Sequence, residues 1–148
     1  MFIMREGYYH YLSPESALRH FRSCDKVKEV LSGELDGFIL HIKDNYFPQY
    51  WLYIAVPSSL TLEDLDKFLR DIWVECCGHL SEFEIGGESV SPDGEADEIT
   101  DNSFGDDEGV ITAKDKLSDI LHKGLEFGYT YDFGISTELT LRVVDGAK

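Results

Sequence analysis

Apolar positions along the chain recur at two spacings, one helical and one strand-like. The first helical run opens at Ser13, a good N-cap, with Pro14 at the first helical position. Stepping by about 100° per residue places Ala17, His20, Phe21, Cys24, Val27 and Leu31 on one face, and Gly33 offers a stop. His20 and Cys24 are thus expected on the buried stripe or its margin, one turn apart. Two strands follow. Phe38-Ile39-Leu40-His41-Ile42-Lys43 alternates loosely, and Trp51-Leu52-Tyr53-Ile54-Ala55-Val56 is apolar nearly throughout, as a central strand is. Residues 44–49 join them as a hairpin loop.

The second helix has a fuller start. Thr61 is the N-cap, Asp64 takes the capping-box position, and Leu60 and Leu65 are spaced for a hydrophobic staple. Leu62, Leu65, Phe68, Leu69, Ile72, Trp73 and Cys76 form its apolar face, and Gly78 ends it. Ser81 to Ile85 alternates as a half-buried strand. A short helix is expected at about residues 114–122. Phe127, Tyr129, Tyr131 and Phe133 then share one strand face, and Leu139, Leu141 and Val143 repeat the pattern after a turn. This order predicts an α+β fold. One main helix packs on a mixed or mainly antiparallel sheet, β-grasp-like, preceded by an N-terminal helix. A single domain over 1–148 is expected, with an N-terminal helical segment at 1–34 and an α+β core at 35–148.

Charge changes this picture in one region and for the whole surface. From Asp71 through Ala113 there is no Lys or Arg, but there are 13 acidic residues. Within that stretch, residues 87–109 read as a mobile acidic loop, because like charges oppose compaction. Overall, 13 basic against 29 acidic residues give a formal charge of −16. A nucleic-acid partner is disfavoured, since phosphate binding needs a basic face, and so is an anionic membrane. A basic protein is the favoured partner. No apolar run has signal-peptide or membrane-spanning length, so a soluble, cytoplasmic protein is expected. Three cysteines, Cys24, Cys76 and Cys77, do not make a secreted disulfide framework.

Two segments carry a family resemblance. One runs from Thr61-Leu62-Glu63-Asp64-Leu65 through Ile72-Trp73 to His79-Leu80-Ser81-Glu82-Phe83-Glu84-Ile85. The other is Phe127-Gly128-Tyr129-Thr130-Tyr131-Asp132-Phe133-Gly134, followed by Glu138-Leu139. Together they resemble the plasmid Ri open-reading-frame-three-like family, whose members often carry an insertion-element passenger or "resolvase" label. The resemblance spans residues 38–144 and implies an α+β fold without an established activity. The family often follows Asp-Phe-Gly with an acidic residue and a tryptophan, where this chain has Ile135, Ser136 and Thr137. A recombinase must hold DNA, which a charge of −16 opposes.

Four candidate sites emerge. His20 with Cys24 and Cys77 with His79 make two thiol–imidazole pairs. Together they would supply four tetrahedral zinc ligands if the first helix packs on the exit of the second. Against this, Cys24 and Cys76 fit the apolar stripes as small core residues, and His79 can cap the second helix. The acidic loop offers oxygen ligands for calcium from Asp93, Glu95, Asp97 and Glu98 or from Asp101, Asp106, Asp107 and Glu108, without the EF-hand pattern. Cys77, at a helix C-terminus, faces the negative dipole end, which opposes activation as a nucleophile. Asp132 and Glu138 could pair across the last hairpin or fix a turn. No phosphate loop, paired-glycine fingerprint or serine elbow is present, so hydrolase or thiol chemistry would be of unrecognised type. Finally, Tyr8, Tyr9 and Tyr11, and Tyr46, Phe47, Tyr50 and Trp51, crowd two short regions, as interface anchors do. The expectation is a non-catalytic protein-interaction module with an acidic surface, with a structural-zinc domain as the alternative.

Overall fold

The alternating segments become strands of one sheet in the structure, a computed structural model that describes residues 2–5, 14–25, 27–28, 36–74, 78–92, 110–134 and 136–146. The strands are β1 (Phe2–Arg5), β2 (Gly37–Asp44), β3 (Trp51–Pro57), β4 (Ser81–Ile85), β5 (Glu88–Val90), β6 (Glu126–Tyr131) and β7 (Thr137–Gly146). They lie in the order β1-β3-β2-β7-β6-β4-β5. Every pairing is antiparallel, so of the two expected forms the mainly antiparallel one is realised. The helices are α1 (Pro14–Ser23), α2 (Leu62–Leu69) and the short α3 (Leu117–Ile120). The fold is α+β, and the succession of hairpin, helix and further strands keeps the β-grasp-like order of elements.

The two sheet faces bury different partners, because side chains alternate along each strand. On one face Leu40, Ile42, Leu52, Ile54, Phe83, Tyr129, Leu139 and Leu141 meet Leu62, Leu65 and Leu69 of α2. On the other, Ile39, Trp51, Tyr53 and Ala55 meet Ala17 and Phe21 of α1. The Phe21 and Tyr53 rings stack there at 6.3 Å. Trp51 thus belongs to the core rather than to an exposed aromatic cluster.

The start of α2 follows the expected chemistry. Thr61 Oγ1 accepts from the Asp64 backbone N–H at 3.2 Å, and Asp64 Oδ2 accepts from the Thr61 N–H at 3.0 Å. Thr61→Ala removes this box. The expected result is a loss of about 1 kcal/mol, read as a fall of about 2–4 °C in Tm.

Three features depart from the sequence expectation. The first helical run is interrupted at Cys24, and His20 and Cys24 are both exposed rather than on the buried stripe. Among the described residues of that stripe, Ala17, Phe21 and Val27 are buried, and Leu31 lies outside the described residues. α2 passes into a π-helical turn at Arg70–Val74, which ends the regular helix before Gly78. Finally, β1 and β5 were not expected. β5 opens the stretch read as loop: Gly86 and Gly87, at φ +60° and +87°, make the tight turn that pairs Ile85 with Glu88. Residues 93–109, most of that loop, lie outside the described residues, with all the calcium candidates.

His41 sits half-buried on the α1 side, its ring 4.8 Å from that of Tyr53. Burial first, then the charges of Lys43 and Arg142, hold its pKa below 6.5, with Glu15 opposing. The unfolded chain therefore takes up this proton before the folded one does. Stability should fall as pH drops below about 6.5. In thermal melts at stepped pH, His41→Leu should flatten that acid limb.

Candidate interaction site

The loop between β2 and β3 is tied down by its own backbone. Asp44 Oδ1 accepts from the N–H groups of Tyr46 and Phe47 at 2.9 and 3.0 Å. The Asp44 N–H donates to the Tyr50 carbonyl at 3.0 Å, and the Asn45 N–H to the Glu138 carbonyl at 2.9 Å. Asparagine and aspartate commonly close turns in this way. The backbone is fixed, yet the rings point out: Tyr46, Phe47 and Tyr50 are 62%, 57% and 61% exposed. Phe47 and Tyr50 pack edge-to-face at 6.3 Å. The charge of Glu138, and then its hydrogen bond, raise the Tyr46 phenol above its ordinary pKa.

The registers extend this patch. The β2–β3 loop, the start of β7, the end of β6 and the start of β4 all lie at one end of the sheet. That end also carries Phe133 and Leu80, 54% and 58% exposed. Neighbouring strands lie about 4.8 Å apart, so the four strand ends from β2 to β4 span on the order of 15 Å. Among the described residues, Val110 is the one large apolar side chain of comparable exposure elsewhere. Asp44, Asp132 and Glu138 stand among these residues at the same end.

Behind that end lies a polar knot. Asp66, on the buried side of α2, accepts at Oδ1 from Ser81 Oγ (2.6 Å) and from the Tyr129 hydroxyl (2.7 Å). Its Oδ2 accepts from Arg70 Nε at 2.9 Å. Arg70 also donates to Ser81 Oγ at 2.9 Å, and its guanidinium lies 5.2 Å from the Tyr131 ring centroid. Burial, followed by the bond to Asp66, pushes the Tyr129 phenol far above its ordinary pKa. The Tyr131 hydroxyl accepts from the His79 N–H at 3.2 Å. Asp132 then turns left-handed, at φ +56°, and its Oδ1 accepts from the Gly134 N–H at 3.0 Å. Aspartate tolerates that conformation better than most residues. Tyr129 and Tyr131 thus anchor neighbouring segments, Asp132 fixes its own turn, and that turn presents Phe133.

A family model described as plasmid pRiA4b ORF-3-like protein matches residues 38–147. The chain belongs to this family. The match runs from β2 through β7, taking in the knot and the exposed sheet end and leaving β1 and α1 outside. A crystal structure of a protein of unknown function from Methanosarcina mazei Go1 is similar, with 28% identity and a TM-score of 0.57. The alignment covers 77% of this chain and 64% of that one, so the chain spans less than two thirds of that protein's length. No curated protein matches the chain.

Two of the four proposed zinc ligands, Cys77 and His79, fall within the matched residues, and of these His79 is described. His79 lies against the Tyr131 ring, with Nε2 3.7 Å from Asp132 Oδ2. His20 and Cys24 belong to the segment of α1, which covers the opposite sheet face. Cys77 and Cys76 lie outside the described residues. The structure therefore does not bring His20 and Cys24 together with His79, because α1 and the Tyr131 ring against which His79 lies belong to opposite faces of the one sheet layer. Among the described residues no cluster of three or more His, Cys, Asp or Glu has metal-binding geometry. Asp132 and Glu138 do not pair either: Glu138 lies opposite Thr130 and engages Tyr46, while Asp132 fixes its own turn. Tyr8, Tyr9 and Tyr11 are outside the described residues. The sequence reading missed the knot, although Asp66 and Arg70 stand four apart on α2, a spacing that pairs charges on a helix. No described helix is long and apolar enough to cross a membrane.

Proposed function

We propose that this protein is a non-catalytic interaction module that captures a basic protein segment at the sheet end formed by the β2–β3 loop, the β6–β7 turn and the start of β4. The observation that carries this reading is the gathering of Tyr46, Phe47, Tyr50, Phe133 and Leu80 at one end of the sheet, on backbone already held in place. Rigid aromatics lose little conformational freedom on binding and are favoured as interface anchors. Asp44, Asp132 and Glu138 stand among them, and the chain's charge of −16 would speed the approach of a cationic partner. The knot of Asp66, Arg70, Ser81 and Tyr129 supports the same reading, since its groups bond one another inside the core and brace the strands that carry the patch.

The test uses a fluorescein-labelled peptide alternating Lys or Arg with Leu, read by anisotropy against the full chain. Binding is expected, with an on-rate that falls as salt is added, and it is expected to be lost in the double variant Phe47→Ser, Tyr50→Ser. Equal affinity for both proteins would remove the sheet end from consideration.

A further inference from the structure

The sheet face roofed by α1 holds a concentration of positive charge that the rest of this acidic chain does not prepare for. Four strands place one row of side chains across that face: Tyr53 on β3, His41 on β2, Arg142 on β7 and Glu126 on β6 are direct cross-strand neighbours. One row nearer the β2–β3 loop stand Trp51, Lys43, Thr140 and Gly128. α1 packs over β3 and Ile39 of β2, with Arg22 reaching Asp145 of β7, and a cleft of about 430 Å³ remains between the helix and the sheet. That volume suits a small metabolite.

Three cations line it: Lys43, Arg142 and, at the rim, Lys123. Lys123 reaches Asp145 at 3.9 Å. Among the described residues, neither the Lys43 ammonium nor the Arg142 guanidinium has an ion pair or hydrogen bond. Glu126 lies opposite Arg142 in the register without closing a bridge, and Glu15 is the other carboxylate on the wall. Between the two cations is His41, whose Nε2 is the buried side-chain polar atom left without a hydrogen-bond partner among the described residues. Buried polar atoms are nearly always partnered, and an orphan calls for an explanation. Two unpaired cations flanking an unsatisfied imidazole on the wall of a cleft are the donor set that an oxyanion needs.

We propose that the cleft between α1 and the β2–β7 strands binds the phosphate or carboxylate group of a small molecule, with Arg142 and Lys43 holding its charge and His41 supplying a ring N–H. Lys123 closes the rim, and the hydroxyl of Thr140 offers a further donor. The site lies on the sheet surface across from α2 and is separate from the aromatic end proposed to hold a protein. Its success or failure leaves that proposal untouched.

The probes are inorganic phosphate and citrate, each titrated into the full chain with sodium chloride at matched ionic strength as the reference. Calorimetry gives affinity, and the 15N shift of the His41 ring reports contact. The expected result is a dissociation constant of about 1 mM or tighter for at least one probe, with a moved His41 ring resonance. Phosphate alone marks a phosphate ligand, citrate alone a carboxylate, and both mark the shared oxyanion chemistry. Arg142→Gln and Lys43→Gln should each weaken binding about tenfold. Neither side chain has an ion pair or hydrogen bond among the described residues, so both variants should keep the parent Tm. If neither probe binds beyond the chloride reference, or if Arg142→Gln and Lys43→Gln bind as the parent does, the proposal is wrong.

Discussion

Asp66→Ala is expected to destabilise the protein by about 3–5 kcal/mol, a fall of about 10 °C in Tm for a chain of this size. The reason lies in what the substitution leaves behind. Arg70 is nearly buried, and its Nε bonds Asp66 Oδ2 at 2.9 Å. Without the carboxylate a cation remains in the core having lost its charged partner there, with the Ser81 hydroxyl and the Tyr131 ring beside it. The Tyr129 and Ser81 hydroxyls lose their acceptor as well. Two controls separate these costs. Tyr129→Phe removes one donor and leaves Asp66 bonded to Ser81 and Arg70, so about 1 kcal/mol is expected. The double variant Asp66→Leu, Arg70→Met removes the stranded charge and should recover a good part of the loss, because a buried ion pair is worth little against apolar replacements of similar size. Thermal and urea melts of the four proteins read the series. If Asp66→Ala costs no more than Tyr129→Phe, the knot does not brace the sheet.

Removing the aromatic anchors should have the opposite profile: binding lost, stability kept. Phe47 and Tyr50 are exposed and contact mainly each other. Truncating buried hot-spot aromatics costs about 2 kcal/mol or more of binding energy, which is on the order of thirtyfold in affinity. Changing exposed side chains alters stability by about 0.5 kcal/mol or less. The Phe47→Ser, Tyr50→Ser protein should therefore melt with the parent and bind the basic peptide at least about thirtyfold more weakly. Glu138→Gln should act differently. It removes a rim charge, so it should slow association and reduce salt dependence while leaving dissociation nearly unchanged. An equal loss from Phe133→Ser would extend the site across the β6–β7 turn.

How much of this was legible in the sequence depended on whether the signal was local. The capping box at Thr61 and Asp64, the apolar run 51–56 and the alternation at 127–131 are short-range patterns, and each appears where expected. Phe133, read as a fourth member of that strand face, instead lies exposed in the turn after Asp132 breaks the strand. The family motif was legible too, but not its physical content. Tyr129 meets Asp66 across 63 residues and Arg70 meets Ser81 across 11, so pairing them requires the sheet to be assembled first. β1 was missed because four residues carry too little pattern, and its partner β3 lies about fifty residues on. β5 was hidden by the acidic composition around it, although Gly86-Gly87 is a hairpin signal in its own right. The first helical face over-reached for a related reason. A continuous period of 3.6 assigns His20 and Cys24 to the buried side, but the helix breaks at Cys24, and of the described positions on that face Ala17, Phe21 and Val27 are the buried ones. The exposed aromatics were half legible: Tyr46, Phe47 and Tyr50 stand out in the chain, whereas Phe133 and Leu80 join them only through the strand register.

The most direct test of the account is a 1H–15N spectrum of the full chain titrated with the basic amphipathic peptide, assigned across the sheet ends. The account predicts that the largest shifts fall on residues 44–50, 132–134 and 138, with residue 80 among them, while the far ends of the same strands stay still. Shifts confined to the acidic stretch at 93–109, or none at the β2–β3 loop, would contradict it.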